Sequence, residues 1–252
     1  MGLYQTLIPA KIRNFIRPLK DPLGAIMSWL IRIISKNRVC SGPFAGMEFR
    51  YPDLEYAMLL GTWELELAEV WELIFANDFS VMVDVGAAEG YYAIGMTYRK
   101  PDAKVIAYEM DEHVRNKLNT MKELNGASLE ILGKCTLSEL EELGSRLEGG
   151  FILMDVEGFE AVLLDPVAIP ALRHSTILVE LHEMYAEGCT TLIEKRFLST
   201  HEIRLIKGIK RSLNHLPPSL GFLRYLFPKE KWLGYMDEGR PYEMSWFYIT
   251  PK

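Results

Sequence analysis

The sequence predicts an α/β protein: a doubly wound, mostly parallel seven-stranded sheet with an antiparallel last strand, plus a helical N-terminal extension. Two observations predict it. From Val81 onward, apolar strand-like runs alternate with helical stretches, and continuous apolar runs separated by helices mean strands buried on both faces of a parallel sheet. Near the end the alternation stops, where "HEIRLIKG" (201–208) and "MSWFYITPK" (244–252) both read as strands with no full helix between them, a pair that can join antiparallel at a sheet edge.

The five strands of the alternating part are read in "VMVDVG" (81–86), "KVIAYEM" (104–110), "LEILGK" (129–134), "FILMDVEG" (151–158) and "TILVELHE" (176–183). Helices are read between them in "YYAIGMTYR", "DEHVRNKLNTMKELN", "LSELEELGSRL" and "EAVLLDPVAIPALRH". Upstream, residues 24–38 place Ile26, Met27, Leu30, Ile33 and Ile34 on one helical stripe expected to pack on the body, with Arg32, Lys36 and Arg38 towards the other side. "SGPFAGMEF" (41–49) has the punctuation of a turn or short hairpin, and "EYAMLLGTWELELAEVWELIFA" reads as mostly helical. The chain thus divides into a basic amphipathic arm (1–40), a hairpin and helical lead-in (41–80) and the main domain (81–252). The main domain carries an insertion at about 209–243, long enough to act as a lid or recognition element.

Of 252 residues, 49% are apolar and 25% charged, the composition of a folded soluble protein. The net charge of −6 is uneven: residues 1–40 hold seven Lys and Arg against Asp21 alone, which leaves the remainder at −12. A basic, partly apolar arm on an acidic body suggests that the arm has its own task, either in peripheral contact with the inner face of a membrane or against the body itself. The run Gly24–Ile34 is broken by Arg32 and falls short of the about 20 residues that span a bilayer. Cys40, Cys135 and Cys189 are odd in number and widely spaced, which favours a reducing, cytoplasmic setting over a disulfide framework.

In an open α/β sheet, ligands bind beyond the carboxyl ends of the strands, where strand order reverses. Gly86 and Gly90 stand where the first strand of the series hands over to its helix. Ala88 replaces the middle glycine of a dinucleotide fingerprint, and no Gly-Lys-Ser/Thr follows, so a pyrophosphate cradle is disfavoured. Asp84, expected at the strand tip, repels phosphate but suits a cationic, hydroxyl-rich ligand. S-adenosylmethionine is such a ligand, with a sulfonium, an ammonium and a ribose diol. Glu109, at the end of the next strand, can accept hydrogen bonds from both ribose hydroxyls, and Met110 beside it can pack on adenine.

With these residues in view, the sequence resembles the class I S-adenosylmethionine-dependent methyltransferases of Rossmann-like fold, and within them the FkbM-type branch. "VDVGAAEGYYA" is similar to that branch's glycine turn, "MDVEGFEAVLL" to its fourth-strand signature and "ILVELHE" to its fifth strand; the likeness covers most of residues 41–208. Ala88, where many relatives carry asparagine, and Phe159, where the branch often has alanine, depart from it. The resemblance implies cofactor contacts from Asp84, Gly86, Ala87, Gly90, Glu109, Met110 and Asp155, and methylation of a hydroxyl on a sugar, glycan or small metabolite.

An alcohol acceptor must lose its proton to a base or a metal. At the ends of the fourth and fifth strands stand Asp155, Glu157, Glu180 and His182. His182 is the natural general base, with an unperturbed pKa of about 6.5, and Asp155 and Glu180 complete the catalytic set. Glu157 is placed on the acceptor side, and Tyr91, just past the glycine turn, either lines that side or packs its helix. A divalent metal held by Asp155, Glu180 and His182 is the competing, less favoured arrangement. A nucleic-acid methyltransferase is the nearest rival activity, but "DVEG" stands where amino-methylating enzymes of DNA carry a proline-rich motif, and the body is acidic. A third reading is a protein that binds the cofactor without catalysis.

Overall fold

The computed structural model describes residues 21–50, 56–240 and 244–252. The first half of the basic arm lies outside the described residues. Seven strands form one sheet: β1 (Met82–Val85), β2 (Val105–Tyr108), β3 (Glu130–Leu132), β4 (Phe151–Met154), β5 (Thr176–Glu180), β6 (His201–Lys207) and β7 (Ser245–Pro251). Their order is β3-β2-β1-β4-β5-β7-β6. The first five pair in parallel, and β7 runs antiparallel between β5 and β6. The antiparallel pair expected at the edge is therefore present, with the last strand inserted as its inner member. Order reverses between β1 and β4, so the crevice of this sheet lies beyond Val85 and Met154.

Alternation along each strand sends side chains to two cores. Met82, Phe151, Leu153 and Leu178 join Met27, Phe44 and Trp71 on one face. Val83, Val85, Ile152, Met154, Ile177 and Val179 join Leu140, Leu164 and Phe197 on the other. The helices α1 (Pro22–Ser35), α2 (Tyr56–Leu60), α3 (Ala68–Phe75), α4 (Tyr91–Arg99) and α5 (Glu112–Asn125) serve the first core. The second is served by α6 (Leu137–Leu143), α7 (Glu160–Leu163) and α8 (Cys189–Phe197). The insertion folds as a 3₁₀ segment (Pro218–Tyr225) and α9 (Lys229–Met236), and it covers the first core through Leu220, Leu223, Trp232 and Met236.

Three expectations change. In α1 the buried residues are Gly24, Met27 and Ile31, whereas Ile26 and Ile33 face outward. The helix is apolar on both sides, so periodicity alone cannot say which stripe faces inward. The helical reading of 55–76 is interrupted: Gly61 (φ 75°) ends α2, where a Cβ would collide with the Ser41 carbonyl, and Glu64 (φ 44°) precedes a 3₁₀ turn and α3. The stretch after Gly158 is α-helical only over Glu160–Leu163 and resumes as a 3₁₀ turn at Pro170–His174, because Pro166 cannot donate to a helical ladder and Asp165 caps a turn at Val167.

The hand-over from β1 to α4 is held by Gly86 and Ala87, whose N–H groups both donate to the Tyr108 carbonyl at 2.9 Å. Gly86 has φ 91°, and a Cβ there would collide with the carbonyl oxygen of Asp155. Ala88 has φ 45°, a left-handed conformation that costs an L-residue about 1 kcal/mol relative to glycine. Ala88→Gly is therefore expected to stabilise the fold by about 1 kcal/mol and to raise the thermal midpoint by a few degrees, measured by calorimetry on the ligand-free protein.

Candidate active site

The turn after β1 presents its backbone to the crevice. The Ala88 N–H donates to Glu109 Oε2 at 3.0 Å, and the Asp111 N–H donates to Oε1 at 2.8 Å, so the acid at the end of β2 is pinned against the glycine turn with lone pairs left over. Met110, 72% exposed, stands at the rim. Gly90 (φ 92°) opens α4, and a Cβ there would strike Leu118.

Two residues expected at this turn are placed elsewhere. Asp84 lies inside β1, not at its tip, and is 1% exposed on the face that also carries Met82. Its Oδ2 has no hydrogen-bond partner. Burial pushes its carboxyl up to about 7, opposed by the Ala93 N–H in the first turn of α4 and reinforced by Glu109. Tyr91, expected on the acceptor side, turns into the core, edge-on to Phe44 at 5.2 Å and Phe49 at 5.6 Å, because the first residue of α4 faces the lead-in segment.

At the ends of β4 and β5 the structure gathers Asp155, Glu157, Glu180 and His182 as the sequence predicts, with Glu180 the last residue of β5 and the other three just past the strand ends. The His182 ring is 2% exposed. Its Nε2 lies 3.3 Å from Glu180 Oε2 and 3.6 Å from both Asp155 Oδ1 and Glu157 Oε2. Its Nδ1 lies 2.6 Å from Oε1 of Glu160, which sequence reasoning left without a role. Glu160 is fully buried and accepts from the Val156 and Gly158 N–H groups, so it fixes the imidazole and leaves Nε2 towards the crevice. Glu160 stands within the quoted "DVEGFE", and a carboxylate just past the turn glycine was the available signal.

The protonation pattern corrects the expectation of an ordinary histidine. Burial pushes His182 down, but the hydrogen bonds to Glu160 and Glu180 and the nearby Asp155 outweigh it and raise the pKa to about 10. The ligand-free protein at neutral pH therefore holds an imidazolium among carboxylates. Glu160 and Glu180 are held below the ordinary range, since contact with His182 overcomes the upward push of burial. Asp155 is pushed well up by burial and then by Glu180 and Glu64.

A second cation completes the site from far along the chain. Arg240, at the end of the insertion, pairs with Glu180 and Glu64, contacts Glu238 Oε2 at 3.1 Å and lies over the Trp63 ring at 5.2 Å. Glu64 also accepts from the Tyr92 hydroxyl, and burial, partly offset by Arg240, raises its pKa to about 8. Arg211 joins Glu238 and Glu66, with Nε donating to the Thr62 carbonyl at 2.9 Å. Glu64 (φ 44°), Ala88 (φ 45°) and Glu157 (φ 52°) are all left-handed, and strained backbone of this kind gathers at functional sites. Glu64 and Arg240, 176 positions apart, carry no local signal in the sequence, and Arg211, legible there only as part of a basic cluster with Lys207 and Lys210, is tied into buried acids rather than solvated.

A cavity of about 260 Å³ opens on Asp155, Glu157, Glu180, His182 and Tyr185. It shares Arg240 and Met244 with a larger one of about 480 Å³ that is also lined by Lys210, Arg211 and Leu233. For a metal, the compatible set is Asp155, Glu157 and His182, whose ligand atoms lie within 4.8 Å of one another. Glu180, expected in that set, is taken up by Arg240.

No family model and no curated protein matches the chain. Among solved structures it is similar to the O-methyltransferase TomG from Streptomyces achromogenes in complex with SAM, at 11% identity over 81% of this chain and 82% of that one, with a TM-score of 0.47. It is also similar to a precorrin-6y C5,15-methyltransferase from Geobacter metallireducens (13%, 73% and 88%, 0.45). M. jannaschii TYW2 in complex with AdoMet is a further match (14%, 75% and 78%, 0.41).

Asp84 yields a test of the buried charge. Its carboxyl moves from 3.8 to about 7, so the folded state holds the proton more tightly than the unfolded one. That contribution is fully present below about pH 4 and is lost as pH rises through about 7. Asp84→Asn is expected to remove this slope: its thermal midpoint, compared with wild type across the range, gains steadily from pH 4 to 8, reaching a few kcal/mol of relative stability.

Proposed function

We propose that the protein is an S-adenosylmethionine-dependent methyltransferase that methylates a hydroxyl group on a sugar, glycan or small metabolite. The observation that carries this reading is the Glu109 carboxylate fastened to the Ala88 N–H at the switch point of the sheet. An acid there suits a ribose diol, and no phosphate-binding lysine accompanies the turn. When bound, the cofactor supplies a methyl group on a sulfonium, an activated leaving-group arrangement that asks the protein for alignment more than for bond polarisation. The backbone of Gly86, Ala87 and Gly90, the Glu109 carboxylate and the exposed Met110 would hold its adenosine part. The acidic wall of Asp155 and Glu180 suits its cationic part.

His182 Nε2 is the atom that takes the acceptor's proton. Glu160 orients the ring and stabilises the imidazolium that results, the division of labour of a carboxylate–histidine pair. Nε2 can accept a proton only when neutral, and in the ligand-free protein that form grows as pH rises towards about 10. A cation lodged beside Asp155 and Glu180 lowers the proton affinity of Nε2 by the same Coulombic rule through which the carboxylates raise it. Asp155 stands beside Glu180 in that wall, 3.6 Å from His182 Nε2. The acceptor enters over the cavities that meet at Arg240 and Met244, where carboxylates and guanidinium groups offer both donors and acceptors to hydroxyls.

Isothermal titration is expected to show saturable S-adenosylmethionine binding in the micromolar range, about 8 kcal/mol. Glu109→Ala should lose about 1.5 to 3 kcal/mol of it, and absence of binding to the wild type would overturn the reading. In an assay of methyl transfer from labelled cofactor to fractionated cell extract, His182→Ala should lose about 10² to 10⁴ in turnover while cofactor affinity changes by less than about threefold. Turnover of the wild type should rise with pH above neutrality, and a flat profile would remove His182 as the base.

A further inference from the structure

The outer face of α1 is apolar where a solvated helix would be polar. Leu23, Ile26, Trp29 and Ile33 fall on one stripe at helical spacing, and the last three are each more than half exposed. The 3₁₀ segment of the insertion packs beside α1 and adds Phe222 and Tyr225, followed by Leu226, 61%, 81% and 65% exposed. The two elements are locked by the insertion's α9: the Tyr235 hydroxyl donates to the Gly24 carbonyl at 2.7 Å, and Lys231 pairs with Asp21, the cap of α1. An apolar patch that includes Trp and Tyr on adjoining elements of a rigid face marks a contact surface.

Charge distribution selects its occupant. The chain is acidic overall, yet residues 22–47 and 208–229 contain no Asp or Glu. Arg224 and Lys229 are exposed beside the aromatic residues, and Lys36 is exposed at the end of α1. Residues 1–20 join α1 at Asp21, bear Lys11, Arg13, Arg17 and Lys20, and hold no acid. A second copy of this face, or the basic segment 1–20 folded back over it, would bring like charges together. An anionic lipid surface offers the opposite charge and an apolar layer for Trp29 and Ile33 at once.

We propose that the outer stripe of α1, together with Phe222, Tyr225 and Leu226, seats the protein on an anionic phospholipid bilayer, with α1 lying in the plane of the interface. Among the described residues no helix is long and apolar enough to cross a membrane, so this is a surface contact. It stands independently of the methyl-transfer reading.

The test is co-sedimentation of the full chain with phosphatidylcholine vesicles, with and without roughly one-third phosphatidylglycerol. The expected result is binding to the anionic vesicles and little to the neutral ones. Trp29→Glu should lower the bound fraction more than about tenfold, and Arg224→Gln combined with Lys229→Gln should lower the partition coefficient by about tenfold or more. Both variants should keep the wild-type circular dichroism and thermal midpoint, since these side chains face outward. The proposal is overturned if the wild type stays in the supernatant with both vesicle types, if Trp29→Glu binds as well as wild type, or if light scattering shows a wild-type dimer that Trp29→Glu dissociates.

Discussion

Five carboxyl groups, those of Glu64, Asp155, Glu160, Glu180 and Glu238, converge at one end of the sheet with little access to solvent, and the rest of the structure is arranged around neutralising them. Desolvating that many anions without partners costs several kcal/mol for each. Two cations from opposite directions meet most of the requirement: His182 from the β5 end, clamped through Nδ1 to Glu160, and Arg240 from the end of the insertion, forked between Glu180 and Glu64, while Arg211 takes Glu238. The lead-in helix ends at the left-handed Gly61, three residues before Glu64 enters this cluster, and the insertion ends at Arg240, which pairs with Glu64 and Glu180.

A second constraint is steric and sits beside the first. The turn after β1 lies so close to the end of β4 that only glycine fits at 86, against the Asp155 carbonyl. That contact divides the crevice into two halves. On the β2 side are the turn backbone and Glu109, which accept and donate without net positive charge. On the β5 side are the acids and their two cations. In the proposed reading, cofactor and acceptor meet across this divide, with the backbone contact between Gly86 and Asp155 fixing the spacing between the groups that hold each of them.

What the sequence could disclose was whatever local pattern encodes. Strand positions, the turn glycines, Glu109 and the gathering of Asp155, Glu157, Glu180 and His182 follow from runs of a few residues repeated through βα units. Asp84 was misplaced by one strand position's worth of depth: an acid in "VMVDVG" reads as terminal, but β1 continues to Val85 and buries it. The inward stripe of α1 was chosen wrongly because both candidate stripes are apolar. Glu160 was visible as a residue but not as a partner of His182, since a short helix after a left-handed turn sets its direction. Arg240 and Glu64 were beyond reach, because an ion pair spanning most of the chain leaves no periodicity.

The insertion joins features that sequence distance separates. Its middle, with Phe222 and Tyr225, belongs to the apolar face shared with α1, whereas Arg211 before it and Arg240 after it are tied into Glu64, Glu66, Glu180 and Glu238. Arg211, Arg240, Glu66 and Glu238, with Leu233 of α9, wall the larger cavity next to the site. Moving the insertion as a body would separate guanidinium groups from buried carboxylates, at a cost of about 3 to 5 kcal/mol for each pair broken. A cost of that size keeps the cavity wall, the acidic cluster and the outer face of α1 in one fixed relation. A surface on which α1 rests is thereby held at a set position relative to His182.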